Sequence, residues 1–361
     1  MIITRQERIQ EEFKKLIGEE LAGKEKERFE KMMSILSGMI ESKHCHLSKI
    51  ASQIPGLINL ESKIKGIQRW LNNKWVDTPT FYYPFMKRRL LKRLCATSEV
   101  RFIIDGSVVG FSCLTLMVSV LYKKKALPII WLTKKAPKGH FPEDQHLQLL
   151  NELEKIMKDL PACRKVMLGD GEFDGERWIK ALQTYGWEYV LRTSSNRRLH
   201  IQGESFQPCE VAPENSDCLT ITNVTTNKKN HCHLVVNHER KYEHPIYLLT
   251  NLETAGLATK YYAYRYRIET LFKDIKSNSF QLHKSHLDDP EKFDRLLIVI
   301  SLAYLWIIWL GKLVMESNQL MKWIHRSDRC DLSLFSLGLR YLSQLITNGL
   351  RFPEFINLEG D

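Results

Sequence analysis

The sequence predicts an α/β protein in which a mixed sheet is covered by helices and preceded by a helical segment. Three observations predict it. VRFIIDGSVVG, FSCLTLMVSVLY and ALPIIWLT are three β-rich runs in succession; a β-α-β series follows them; and residues 1 to 95 carry helical rather than strand periodicity. At 361 residues and 43% hydrophobic content, the chain is long enough for two or three folding units with at least one sizeable core.

The front segment, 1–95, begins with charged amphipathic stretches and continues into SKIKGIQRWLNNKW and PFMKRRLLKRL. From Lys63 to Arg93 it holds nine Lys or Arg residues and one acid, Asp77. Such a local basic excess favours a polyanion, and Trp70 and Trp75 are expected to give the segment its packing core. We expect a helical DNA-binding domain with Lys63, Lys65 and Arg69 among its contacts; a solvated basic bundle is the alternative.

The three β-rich runs open a second region, 96–198. A helix near 143–158 follows, then the short strand KVMLG, the helix ERWIKALQTYG and the strand WEYVLRT. Residues 199–250 are polar, with strand-like CLTITNVTT, HCHLVV and PIYLLTNL and no helical period, and read as a β insertion. Residues 251–320 return to helices, and 321–361 form a helical tail around LSLFSLGLRYLSQLI. The run LLIVISLAYLWIIWLG at 296–311, flanked by Arg295 and Lys312, is shorter than the ~20 residues that span a bilayer. It is expected to be a buried core helix.

Lys and Arg number 53 against 42 acids, a net charge of +11. Nucleic acid is the partner this balance favours, with an anionic membrane surface as the competitor. The opening MIITRQERIQEEFKK has no apolar stretch, so no secretory signal is expected and the cytoplasm is the expected location. Eight cysteines, at 45, 95, 113, 163, 209, 218, 232 and 330, lack any C-x-x-C pair and are expected to be reduced thiols. The tripeptides His44–Cys45–His46 and His231–Cys232–His233 lack a second ligand pair at finger spacing, and structural or incidental roles are expected for them.

The stretch YYAYRYRIETLFKDIKS sets one acid, Glu269, among cations. At about 100° per residue, Tyr262, Arg265, Glu269 and Lys276 fall within an arc of roughly 60°, with Lys273 beside them. Tyr264, Ile268, Leu271 and Ile275 lie opposite, as on an amphipathic helix. The stripe reads either as a solvated face, with Arg265 and Lys273 paired to Glu269 at i,i+4, or as a phosphate-binding face that carries one carboxylate for another purpose.

Two further acids favour the second reading. Asp105 closes RFIID, and Asp170 follows KVMLG in LGDGEFDG. An acid at a strand end is commonly a turn former. Together with Glu269, however, two strand ends and a helix can bring three carboxylates to one sheet edge, a donor set suited to Mg²⁺ or Mn²⁺. Two such ions about 4 Å apart serve phosphodiester displacement.

With these residues the chain resembles the IS4 family of insertion-sequence transposases, and within it the Tn10/Tn5 type. Tyr262, Arg265, Glu269 and Lys276 match the Y-x2-R-x3-E-x6-K signature, RFIIDGS and LGDGEF resemble the two aspartate strands, and FDRLL with its apolar helix resembles the sequel. The resemblance implies an RNase H-like catalytic core of DDE type, interrupted by the β insertion, that performs cut-and-paste transposition with two Mg²⁺ or Mn²⁺ ions on Asp105, Asp170 and Glu269. It also implies that Tyr262, Arg265 and Lys276 contact backbone phosphates near the cleaved end, and that transposon-end and target DNA are partners of a homodimer in a synaptic complex. Relatives of this kind often carry a tryptophan in the last insertion strand to stack on a flipped base; here Ile246 stands there, with Tyr247, whose ring offers a π face, beside it. An RNase H-like nuclease or resolvase without strand transfer, and a non-catalytic DNA-binding derivative, are the rival readings.

Overall fold

The computed structural model describes residues 7, 9, 11, 21–213, 218–239, 243–254, 256–325 and 331–353. Most of the charged opening segment, Cys330 and the chain beyond 353 lie outside the described residues.

The front is helical, as expected. Helices α1 (Gly23–Ser42), α2 (Leu47–Gln53) and α3 (Leu60–Leu71) pack on one another, followed by short turns α4 (Thr78–Phe81) and α5 (Tyr83–Met86), a π turn (Lys87–Leu91) and α6 (Lys92–Cys95). Asn59 caps α3 by accepting a hydrogen bond from the Ser62 amide at 2.8 Å. Trp70 is buried, and its indole N–H donates to the Arg28 carbonyl at 2.9 Å. Trp75, expected beside it in the core, is instead 61% exposed beneath Arg28 and Lys74. It lies past the end of α3, in the turn that leads to α4, so the helical period that buries Trp70 no longer governs it.

Among the described residues, the body is a mixed α/β assembly built on one ten-stranded sheet. Strands β1 (Glu99–Gly110), β2 (Cys113–Tyr122) and β3 (Lys125–Lys135) form an antiparallel meander, and β4 (Arg164–Gly169) and β5 (Glu188–Thr193) join parallel to β1. Helix α7 (Glu143–Met157) precedes β4, and α8 (Glu176–Thr184) makes the crossover from β4 to β5. The remaining strands are β6 (Leu199–Ile201), β7 (Glu204–Phe206), β8 (Cys218–Thr226), β9 (His231–Asn237) and β10 (Ile246–Thr250), and the sheet order is 3-2-1-4-5-10-9-8-6-7. The β-rich 199–250 stretch therefore extends the main sheet, because β10 pairs antiparallel with β5. The short β6–β7 hairpin had no distinct signal in the sequence.

Helix α9 (Gly256–Lys273) lies across β3, β1, β4 and β5. Helix α10 (Pro290–Glu316) is apolar enough to cross a membrane by composition, yet 94% of its most apolar window is buried. It packs against β3 on one side and α1 and α3 on another, and Arg295 donates to the carbonyls of Leu71 and Val76. The expectation of a core helix holds because the front helices and the tail cover what the sheet leaves bare. Of the tail, α11 (Asn318–Ile324) is short, and α12 (Leu334–Thr347) runs against α10 so closely that a Cβ on Gly338 would stand 1.9 Å from the Ile307 carbonyl oxygen.

Candidate active site

The parallel register of β1 and β4 sets two acids level. The last paired positions are Ile103 and Leu168, and Asp105 and Asp170 each follow two residues later. The two acids thus stand level on neighbouring central strands, but only Asp170 follows a strand end; Asp105, expected at one, lies inside β1 and pairs with Met117, because β1 runs on to Gly110 to form the hairpin with β2. At Gly169 a Cβ would meet the Phe173 side chain at 2.8 Å, so the sharp exit from β4 into the Asp170 turn requires glycine. The Asp170 carboxylate accepts the Glu172 amide at 3.0 Å, and the Asp105 carboxylate accepts the Gly106 amide at 2.8 Å.

Helix α9 brings the third acid beside them. The Arg265 guanidinium lies 3.3 Å from Asp105 and 3.9 Å from Asp170, and pairs closely with Glu269 one turn further along. The i,i+4 pair expected of a solvated face is thus present, but the guanidinium also joins two strands to the helix, with only 16% of its side chain exposed. Burial is the largest influence on Asp105 and pushes its carboxyl up to about 7, against the downward pull of Arg265. Asp170 and Glu269 add like charge in the same direction.

The rest of the signature divides. Tyr262 is half-buried beside Arg265 and Arg192. Lys273 is exposed. Lys276 departs from the continuous helix used to read the stripe: α9 ends at Lys273, and Asp274–Asn278 form a π turn. Lys276 reaches Ser107 on β1, two residues from Asp105, with its ammonium 2.6 Å from the hydroxyl oxygen. Burial lowers its pKa, while Asp105 opposes that shift. Inside the π turn, the buried Asp274 pairs with Lys125 of β3 at 2.8 Å.

Tyr247 is 8% exposed and lines a cavity of about 650 Å³ together with Asp170, Arg192, Ser194, Cys209 and His244. Neighbouring Ile246 is partly buried against the core. Lys63, Lys65 and Arg69 lie on α3, well separated in sequence from this edge. The Lys63 ammonium donates to the Ile54 carbonyl at 2.6 Å, whereas Lys65 and Arg69 are exposed.

One group was missed by the sequence reading. Glu172 accepts the Phe141 amide at 2.6 Å and His140 Nδ1 at 2.9 Å, and buried His146 stands 3.5 Å away. Burial would raise its pKa, but the two imidazoles and the Phe141 amide together hold it low. A Cβ on Gly106 would be 4.0 Å from the Glu172 carboxylate, which places that carboxylate beside the Asp105 backbone. The signal available was an acid two positions after Asp170 in GDGEF; its histidine partners lie some thirty residues upstream and gave none.

As they stand, no three His, Cys, Asp or Glu side chains among the described residues are grouped closely enough to hold a metal ion. The three carboxylates are hard oxygen donors and suit Mg²⁺ or Mn²⁺ chemically. They are arranged around a cation already, and that cation is the Arg265 guanidinium.

The family model for the transposase DDE domain matches residues 116–306, more than half of the chain. The chain belongs to the DDE transposase family. The match takes in Asp170 and Glu269 and begins eleven residues beyond Asp105. No curated protein matches this transposase. Among solved structures it is similar to the piggyBac transposase in a synaptic complex with hairpin DNA, at 13% identity over 98% of this chain and 84% of that one, with a TM-score of 0.40. It is also similar to Marinitoga piezophila Argonaute in complex with guide RNA and target DNA, at 9% identity over 76% of this chain and 38% of that one, with a TM-score of 0.23.

Proposed function

We propose that this DDE transposase is of the IS4 type and performs cut-and-paste transposition through an RNase H-like core, with Asp105, Asp170 and Glu269 as its metal-binding acids. The observation that carries the reading is the meeting of three carboxylates, from β1, β4 and α9, on the single guanidinium of Arg265. Three acids drawn from residues 105, 170 and 269 have no structural need to share one cation at a sheet edge.

The bound Mg²⁺ or Mn²⁺, two ions in this reading, supplies Lewis-acid activation of the attacking oxygen and stabilisation of the leaving one. The chain's own residues do the rest. Asp105 and Asp170 are held by backbone amides at a rigid edge, which fixes two donors before any ligand arrives. Asp105, Asp170 and Glu269 would hold the ions, and Arg265, whose planar fork suits backbone phosphate, stands within reach of all three acids. Lys276, seated on Ser107, and Tyr262 hold the strand beside the scissile position, and Lys273 offers a further exposed cation. Water frees a 3′-hydroxyl at the transposon end, and that hydroxyl then attacks target DNA.

The region 1–95 is the end-binding domain in this reading, with Lys65 and Arg69 presented on α3 and Lys63 near its start. Regions 96–198 and 251–320 form the catalytic core, 199–250 the β insertion and 321–361 the tail. The insertion places Tyr247 in a cavity shared with Asp170, large enough for a nucleobase displaced from its stack. The protein works in the bacterial cytoplasm at the nucleoid, and as a homodimer on paired ends.

The test is a cleavage assay on a transposon-end duplex with Asp105→Ala, Asp170→Ala and Glu269→Ala. Each variant is expected to lose Mg²⁺-dependent nicking and to keep DNA binding. Near-normal nicking by any one of them would remove that residue from the site. Nicking without strand transfer by the wild type would favour the nuclease reading.

A further inference from the structure

Four histidines from two distant parts of the chain meet on the surface. His44 and His46 lie in the turn between α1 and α2, and His283 and His286 in the loop that precedes α10. Cys45, fully buried between the first two, donates its backbone N–H to the Phe280 carbonyl at 2.7 Å and pins one loop to the other. The His46 and His286 rings meet edge to face at 5.1 Å, and Phe111, 52% exposed at the β1–β2 turn, stacks on His286 at 5.1 Å. His286 holds φ +58°, a left-handed conformation uncommon for histidine. Lys49 and Lys284 are exposed alongside.

The patch is coupled to the active site by a hydrogen bond. His283 Nδ1 donates to the Lys276 carbonyl at 2.8 Å, leaving Nε2 for an outside partner. His46 Nδ1 shares a hydrogen bond with the Ser48 hydroxyl at 2.7 Å.

We propose that His46, His283, Lys284 and His286, with Phe111 as a flat apolar wall, accept the phosphate backbone of duplex DNA between the front helices and the catalytic edge, and that binding draws protons onto the imidazoles. The inference rests on the reading of this chain as a DNA-acting transposase, and adds to it a phosphate surface outside the signature residues.

The physical case is charge balance. Burial lowers the pKa of His44 and His46, and the further influences on both are basic: His46, Lys284, Lys49 and His283 for the first, His286 and Lys49 for the second. The nearest acids on the same loop are otherwise engaged, Asp288 lying 3.9 Å from Lys135 and Asp289 capping α10 through the amides of Glu291 and Lys292. Lys43, on the α1 side, is turned to Ser343. The rings pack edge to face instead of converging on one point. A phosphate brings the negative charge that the patch lacks, and with it the proton becomes favourable.

Phosphate contacts carry no sequence information, so a random-sequence duplex is a sufficient probe. Its affinity for the full chain is measured by fluorescence anisotropy from pH 6 to pH 8 at fixed salt, for the wild type and for a His46→Gln, His286→Asn double variant. Asparagine tolerates the left-handed backbone at 286. We expect wild-type affinity to rise as pH falls, and the double variant to bind about tenfold more weakly at pH 6 while converging with the wild type at pH 8. Lys284→Gln should flatten the log K against log salt slope by ~0.9 at both pH values. A wild-type pH slope in a double variant that melts normally would overturn the inference and leave the transposase reading standing. Failure of the wild type to bind duplex at any pH would overturn both.

Discussion

Arg265 and Asp105, 160 positions apart in sequence, stand 3.3 Å apart between helix α9 and strand β1, and the same guanidinium reaches Asp170 and Glu269. One cation stands among three acids and reduces the repulsion between them. The arrangement makes Arg265 a structural part of the site as well as a candidate phosphate contact.

Removing that cation should expose the repulsion. Arg265→Gln is expected to destabilise the protein in chelator by about 1–2 kcal/mol, a figure discounted because Glu269 is 44% exposed. Added Mg²⁺ should restore more stability to the variant than it adds to the wild type. Melting curves with and without Mg²⁺ decide this; equal increments in both proteins would show that the guanidinium and the ion do not compete.

The Lys125–Asp274 pair, about 5% exposed on either side, anchors the π turn that carries Lys276. Lys125→Met withdraws the ammonium from a buried carboxylate and should cost on the order of 3–5 kcal/mol. A Lys125→Met, Asp274→Leu double variant should recover most of that loss. Chemical denaturation measures both, and a double variant as unstable as the single would assign the cost to packing around Lys125 instead of to charge.

Gly338→Ala should detach the tail from α10. The added methyl would overlap the Ile307 carbonyl, a backbone group that cannot turn aside, so the expected loss is about 3 kcal/mol. Gly311, whose Cβ would stand 1.8 Å from the Leu334 carbonyl oxygen, should behave alike. Limited proteolysis near residue 334 should accelerate in both variants, and unchanged cleavage would mean the two helices can slide apart without penalty.

Asp294, near the start of α10, supplies a pH test away from the site. Burial, only partly offset by hydrogen bonds to Thr133, raises its pKa from 3.8 to about 7. Because the folded value exceeds the unfolded one, the protonated form is favoured by folding. Its contribution is complete below pH 4 and is lost as pH rises through about 7, by roughly 4 kcal/mol. Asp294→Asn should therefore leave stability at pH 4.5 nearly unchanged and raise it at pH 8. A variant equally stable relative to wild type at both pH values would show that Asp294 does not titrate in this range.

Local patterns in the sequence determined a good deal. Alternating and apolar runs specify β1 to β5, because a strand buried on one or both faces must spend β-branched and apolar residues there, and the placement of Asp170 just beyond β4 follows from the same pattern, whereas Asp105 lies inside β1, whose continuation to Gly110 the apolar run did not mark. The helix around Glu269 and the buried fate of 296–311 were legible for similar reasons: period and length are properties of one segment. What the tertiary structure alone decided are relations between segments. The level register of the two aspartates depends on β1 and β4 pairing in parallel, and the bridge from Arg265 to three acids depends on how α9 crosses the sheet. The π turn beneath Lys276 is held by Lys125, 149 positions from Asp274, which no helical wheel includes. Trp75 looked like core and is exposed, since burial depends on what the rest of the chain brings to a face. Glu172 reads as one more turn acid until Phe141, His140 and His146 close around it. Periodicity fixes which face of an element is apolar; only packing fixes which two faces meet, and a site made of three elements exists only after they do.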